Sequence, residues 1–121
     1  MTRFDVHDLV RLPAALAELL PRQGSIELQH DGPGKRHEWH YHSVAEELFI
    51  LDGEVTLQWR EDDDVDSRIC GAGTRISLPA DTAHVSTAGS GGAVYIIRPL
   101  GGGAETVWLA PDERPGATVP R

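Results

Sequence analysis

Two periodicities divide the chain. Within residues 12–20, apolar side chains recur at Leu16, Leu19 and Leu20, the i, i+3, i+4 spacing of one helical face. Pro13 stands at the start and Pro21 just past the end, so the pattern predicts a short helix over 12–20. From Ser25 onward the pattern changes to short runs broken by glycine, proline and acidic residues, as strands and turns require. Residues 25–29 read as a strand, and Asp31-Gly32-Pro33-Gly34 as a turn cluster. Residues 46–51 and 54–59 flank Asp52-Gly53, the strongest short hairpin signal in the sequence. Residues 67–70, 74–78, 84–87 and 94–98 supply further strands, with a last one at 104–109. The glycine runs at 89–92 and 101–103 read as flexible turns. Neither has the lysine or the strand–GxGxxG–helix setting of a phosphate loop. Many short strands with regular turns predict a β-sandwich or barrel, and with no internal repeat there is one barrel.

Composition narrows the setting. A chain of 121 residues is one domain with one core. Its 40% hydrophobic and 25% charged content is that of an ordinary soluble protein. A formal charge of −8 excludes the basic face that nucleic acid needs and disfavours anionic membrane surfaces. No apolar run approaches the ~20 residues that span a bilayer. Residues 1–8 are polar and include Asp5 and Asp8, unlike a signal peptide. The single cysteine, Cys70, cannot form an internal disulfide and reads as a buried strand residue, which points to the cytoplasm. Asp62, Asp63 and Asp64, with Glu61 and Asp66, lack the spacing of a calcium loop and read as a solvated hairpin tip.

The chemistry lies in two histidine clusters. Alternate residues of a strand share a face, so His40 and His42 project together if their segment is extended. A later strand can bring His84 beside them. Three imidazoles and one carboxylate make a ligand set for a divalent transition metal, with positions left open. The carboxylate is Glu46 or its neighbour Glu47. Strand parity puts Glu46 with Leu48 and Ile50, and Glu47 with Phe49 and Leu51, and does not choose between them. His7 and His30 read as surface residues. His37 lies three residues before His40, on the opposite face of a regular strand. It is a candidate to line the pocket mouth or to act as acid or base. Trp39, Tyr41 and Phe49 read as packing residues. Gln58, Arg75 and Tyr95 are candidates to line an otherwise apolar pocket.

The two clusters resemble the paired motifs of the cupin superfamily, G-x5-H-x-H-x3/4-E-x6-G and G-x5-P-x-G-x2-H-x3-N. The first is matched at every defined position from Gly34 to Gly53, and the second at Gly73, Pro79 and His84. Asp81 replaces the middle glycine of the second and Ala88 its final asparagine. The glycine position is a turn, where Asp also tolerates unusual dihedrals. The resemblance implies an all-β fold, a double-stranded β-helix (jelly-roll) cupin barrel with a short N-terminal helix. It places a single domain at 1–110, with the motifs at 34–53 and 73–88; residues 111–121, rich in proline and charge, read as a flexible tail. It implies metal ligation by His40, His42, Glu46 and His84, Glu46 being preferred to Glu47 because it satisfies both motif spacings.

Small cupins associate, so the resemblance also implies a homodimer. It allows metal-dependent dioxygenases, isomerases and lyases, as well as modules that bind a small ligand without turning it over. The leading expectation is a metal-dependent enzyme of dioxygenase type acting on a small chelating organic molecule. The ion is one divalent transition metal per chain, with iron(II) preferred over manganese(II), nickel(II), zinc(II) or copper(II).

Overall fold

The computed structural model describes residues 1–9, 11–101 and 105–116. Helix α1 spans Ala14–Leu19, inside the predicted 12–20. Seven strands follow: β1 (Glu27–Asp31), β2 (Arg36–His42), β3 (Glu46–Glu61), β4 (Asp64–Gly71), β5 (Arg75–Leu78), β6 (His84–Pro99) and β7 (Thr106–Trp108). Among the described residues no helix is long and apolar enough to cross a membrane.

The hairpin expected at Asp52-Gly53 is not formed. Residues 46–61 make one continuous strand of 16 residues, and both of its halves pair with β6, itself 16 residues long. The first half of β3 lies between β5 and the second half of β6, which carries β1 on its far side. The second half of β3 lies between β4 and the first half of β6, which carries β2 and then β7. Two antiparallel sheets therefore share two bent strands. This is an all-β jelly-roll barrel.

The bend explains why the local hairpin signal misled. Register shifts fall between Ile50 and Asp52 and between Gly53 and Val55. The buried set moves accordingly from Glu46, Leu48 and Ile50 to Val55 and Leu57, keeping an inward face as the strand passes from one sheet to the other. Gly53 and Gly92 make the corner, with φ of +74° and +77°. A Cβ on Gly53 would lie 2.1 Å from the Gly92 carbonyl oxygen, so the two backbones approach where no side chain fits. The run at 89–92, expected as a turn, is thus part of β6. Asp62 and Asp63 do form the two-residue tip between β3 and β4, with Asp62 at φ +53°.

Two apolar clusters hold the barrel. Leu48, Ile50, Val55, Leu57, Leu78 and Ala93 fill its interior together with Cys70 and Tyr95. Trp39, Ala83, Val85 and Leu109 form the second, with Tyr41 packed against it. Pro111–Glu113 forms a 3-10 turn, and Arg114 Nε donates to the Leu109 carbonyl. Residues 117–121 of the expected tail lie outside the described residues.

Candidate metal centre

Strand pairing brings the histidines together. His40 and His84 are direct cross-strand partners, with ring centroids 4.3 Å apart. His42, two residues on, has its ring 4.9 Å from His40 and 5.5 Å from His84. Their ligand nitrogens lie within 4.8 Å of one another. The turn before β6 fixes this approach, because the Asp81 amide donates to the His42 carbonyl at 2.8 Å. Asp81 sits at φ +62°, the left-handed conformation anticipated for that motif position, which Asp adopts readily.

Each ring is oriented from behind. The Glu38 and Thr82 carbonyls, which only accept, lie 2.6 and 2.9 Å from Nδ1 of His40 and His84. These rings therefore carry their proton on Nδ1 and present an Nε2 lone pair. The Thr106 hydroxyl lies 3.0 Å from His42 Nδ1 and can accept from it or donate to it. Burial pushes the pKa of all three down, and that of His84 to about 4, so they are neutral near pH 7.

Glu46 lies beside two of the three histidines. Its Oε1 is 3.4 Å from His42 Nε2 and 3.8 Å from His84 Nε2. Burial, and to a smaller degree the charge of Glu27, pushes its pKa up to about 7. The Nε2 lone pair of His84 thus faces a carboxyl group with no donor between them. Either a proton on Glu46 or a cation relieves that repulsion. The donor set, mixed N and O with free Nε2 atoms, fits a divalent transition metal. Glu47 points the other way, with Oε2 2.6 Å from Arg75 Nη2 and 4.0 Å from Arg98 Nε.

The site lines a cavity of about 310 Å³ whose apolar wall includes Leu48, Ile97, Pro99 and Trp108. Trp108, 57% exposed, lies with its ring 4.6 Å from His40. Tyr95 lines this cavity as expected, whereas Arg75 lines a different cleft and Gln58 lines neither. His7 and His30 are exposed.

His37 is not on the opposite face from His40. The β2–β6 register shifts between these residues, which pair with Ser86 and His84 respectively, so the extra residue reverses the parity. His37 therefore lines the same cavity as the other three histidines. Its Nε2 lies 2.9 Å from Oδ2 of Asp31, which is buried and also accepts from the Tyr95 hydroxyl at 2.7 Å. Asp31, Thr106 and Trp108 escaped the sequence reading. Asp31 lies in a segment whose local signal is that of a turn, and nothing local marks the other two beyond the last strand.

No protein-family model matches the sequence, and no curated protein matches it. Solved structures do resemble the fold. Pumpkin pro-11S globulin aligns with TM-score 0.66 and 16% identity, over 70% of this chain and 23% of that one. Bacillus subtilis oxalate decarboxylase at pH 4.6 aligns with TM-score 0.60 and 20% identity, over 66% of this chain and 22% of the enzyme. Hazelnut (Corylus avellana) vicilin aligns with TM-score 0.60 and 17% identity, over 67% of this chain and 25% of that one. This chain spans about a quarter or less of their lengths. Likeness at this identity establishes the fold, which is the cupin barrel.

Proposed function

We propose that this chain is a metal-dependent enzyme of dioxygenase type, in which His40, His42, His84 and Glu46 hold one divalent ion and a small chelating organic molecule is the substrate. The observation that carries this reading is the convergence of three imidazoles, with the Nε2 lone pairs of His40 and His84 free, beside a buried carboxyl group in one cavity. Iron(II) is the preferred ion, since it would leave coordination positions open to substrate and would supply redox chemistry toward dioxygen.

The chain's own residues set the conditions. The Glu38 and Thr82 carbonyls fix the ring planes before anything binds. Leu48, Ile97 and Pro99 limit water on one wall, and Trp108 offers a flat apolar surface at the mouth. Elemental analysis of protein purified without a tag, followed by oxygen uptake across a panel of chelating acids and enols, tests the proposal. One equivalent of metal and substrate-dependent oxygen consumption are expected; protein that holds no stoichiometric metal after reconstitution overturns it.

The second reading is an oxygen-independent lyase or isomerase, and one comparison supports its lyase part. The Bacillus subtilis oxalate decarboxylase described as having Mn(II) centres shares this fold, at TM-score 0.57 and 20% identity. Turnover under strict anaerobiosis would select it.

The homodimer remains part of the proposal. Phe4, Val6 and Leu9 are exposed in the N-terminal segment, and Val65 and Ile69 on β4, which pairs only with β3 among the described strands. An exposed apolar edge of this kind is what a second copy covers. Light scattering at twice 13.2 kDa is the expected result.

A further inference from the structure

We propose that His37, braced by the buried Asp31, takes the proton from a chelating substrate whose binding oxygen carries an acidic O–H, as in an enol or an α-hydroxy ketone. The inference rests on the metal-centre reading above and names the class of substrate for it.

The observations concern hydrogen-bond direction. Asp31 is 4% exposed and accepts three hydrogen bonds, from Gln29 Nε2 at 2.8 Å, Tyr95 Oη at 2.7 Å and His37 Nε2 at 2.9 Å. Gln29 and Tyr95 approach as donors, so the carboxylate is ionised and acceptor-only. Burial alone would raise its pKa, but the bonds from Gln29, Tyr95 and His37 outweigh that and hold it below the ordinary carboxylate range. His37 must then donate from Nε2, which leaves the lone pair on Nδ1.

This is the reverse of the tautomer that His40 and His84 adopt, where Nδ1 donates to backbone and Nε2 is free. The imidazoles of the cavity are thereby sorted into two roles. Among the described residues Nδ1 of His37 has no hydrogen-bond partner, and its side chain is 26% exposed on the cavity wall shared with His40, His42, His84 and Glu46.

Charge points the same way. Among the described residues no lysine or arginine pairs with Asp31, and His37 is the one group beside it able to become cationic. In the proposed step the substrate O–H bond breaks, its electron pair stays on oxygen, and the proton moves to His37 Nδ1. The Nε2–H bond to Asp31 persists, so the new imidazolium faces a buried anion. Tyr95 cannot take this part, because burial and the neighbouring Asp31 hold its hydroxyl far above the ordinary phenol range. Asp31 is a positioning residue here. His37 is the group that touches substrate.

The experiment uses zinc(II), which is redox-silent, and as the probe maltol, an enolic α-hydroxy ketone that keeps its O–H proton just above neutral pH. Calorimetric titration of the zinc-loaded protein just above neutral pH, in buffers of different ionisation enthalpy, counts the protons released per maltol bound. His37→Gln is expected to release more protons than wild type, by up to one per chelator. Asp31→Asn is expected to fall between them, with zinc content equal in all three. Equal proton counts in wild type and His37→Gln at equal zinc content overturn the inference. Wild type that holds no stoichiometric zinc removes the metal-centre reading and this inference with it. Should His37→Gln not fold, ¹⁵N NMR of the zinc-loaded wild type decides: protonated Nε2 with bare Nδ1 on His37 is expected, and the opposite tautomer refutes the proposal.

Discussion

Two clefts of similar size open on this barrel, about 310 Å³ beside the histidines and about 260 Å³ on the side of β4 and β5. The smaller is lined by Trp59, Arg68, Cys70, Arg75, Ile76 and Leu78 among others. Its titratable groups are committed elsewhere: Arg75 is ion-paired with Glu47 on the outer surface, Glu61 accepts from the Trp59 indole, and burial pushes the Cys70 thiol pKa up. In the larger cleft the four histidines are held from behind by backbone carbonyls, a threonine hydroxyl or a buried carboxylate. Size does not separate the two. What separates them is whether polar atoms are fixed and left without partners on the side that faces the void.

The sharpest way to break this contrast is to remove a ligand from one cleft and a polarisable atom from the other. His42→Ala and His84→Ala should each weaken metal binding by more than about 100-fold, since loss of a partner behind a ligand alone costs 10- to 100-fold. Cys70→Ser should leave metal stoichiometry unchanged. It should lower stability by about 1–3 kcal/mol, the cost of burying a hydroxyl where the thiol packed. Elemental analysis and urea unfolding of the three variants read both effects. Metal lost from Cys70→Ser would erase the distinction.

Next in size is the adjacent pair of glutamates. Glu46→Gln keeps the shape and removes the anion, so metal occupancy after identical purification should fall. Glu47→Gln should keep its metal and lose less than about 1 kcal/mol, because its partners Arg75 and Arg98 are surface groups. The reverse result would mean that β3 presents its other face to the cavity.

The smallest expected effect is on the pH dependence of the metal-free protein. Glu46 is raised from 4.5 to about 7, so its contribution is full below pH 4.5 and is lost as pH rises through 7. His84 is lowered from 6.5 to about 4, so its contribution is full above pH 6.5 and is lost as pH falls through 4. Between pH 4.5 and 6.5 the Glu46 slope opposes that of His84, which the lowered His40 and His42 reinforce, so the stability of the metal-free wild type should rise with pH, less steeply than the histidines alone would dictate. Glu46→Gln removes the opposing slope, so its stability should rise more steeply across that window. Urea midpoints of both proteins, stripped of metal, measure the difference.

Much of this was legible in the sequence because it depends on period two and on spacing. His40, His42 and Glu46 sit where a regular strand would place them, and the turn at Asp81 tolerates the conformation that its position demands. The misreadings share one cause. The strand corner at Gly53 and Gly92 looks locally like a hairpin and a loop, and only the pairing of β3 with β6 shows that both strands run through it. The bulge between His37 and His40 has no residue signature, so parity sent His37 to the wrong face. Asp31 reaches His37 and Tyr95 across strands, and a pattern of neighbours along the chain cannot encode that contact.

The three histidines do not depend on side chains equally. Two are oriented by main-chain oxygens, at Glu38 and Thr82, which no substitution can delete. His42 leans on the hydroxyl of Thr106, in a three-residue outer strand. The site thus has two hard-wired corners and one adjustable one. A laboratory seeking to retune the centre would do best to start at position 106: it can alter how one donor is aimed while leaving the barrel, the other two donors and Glu46 untouched.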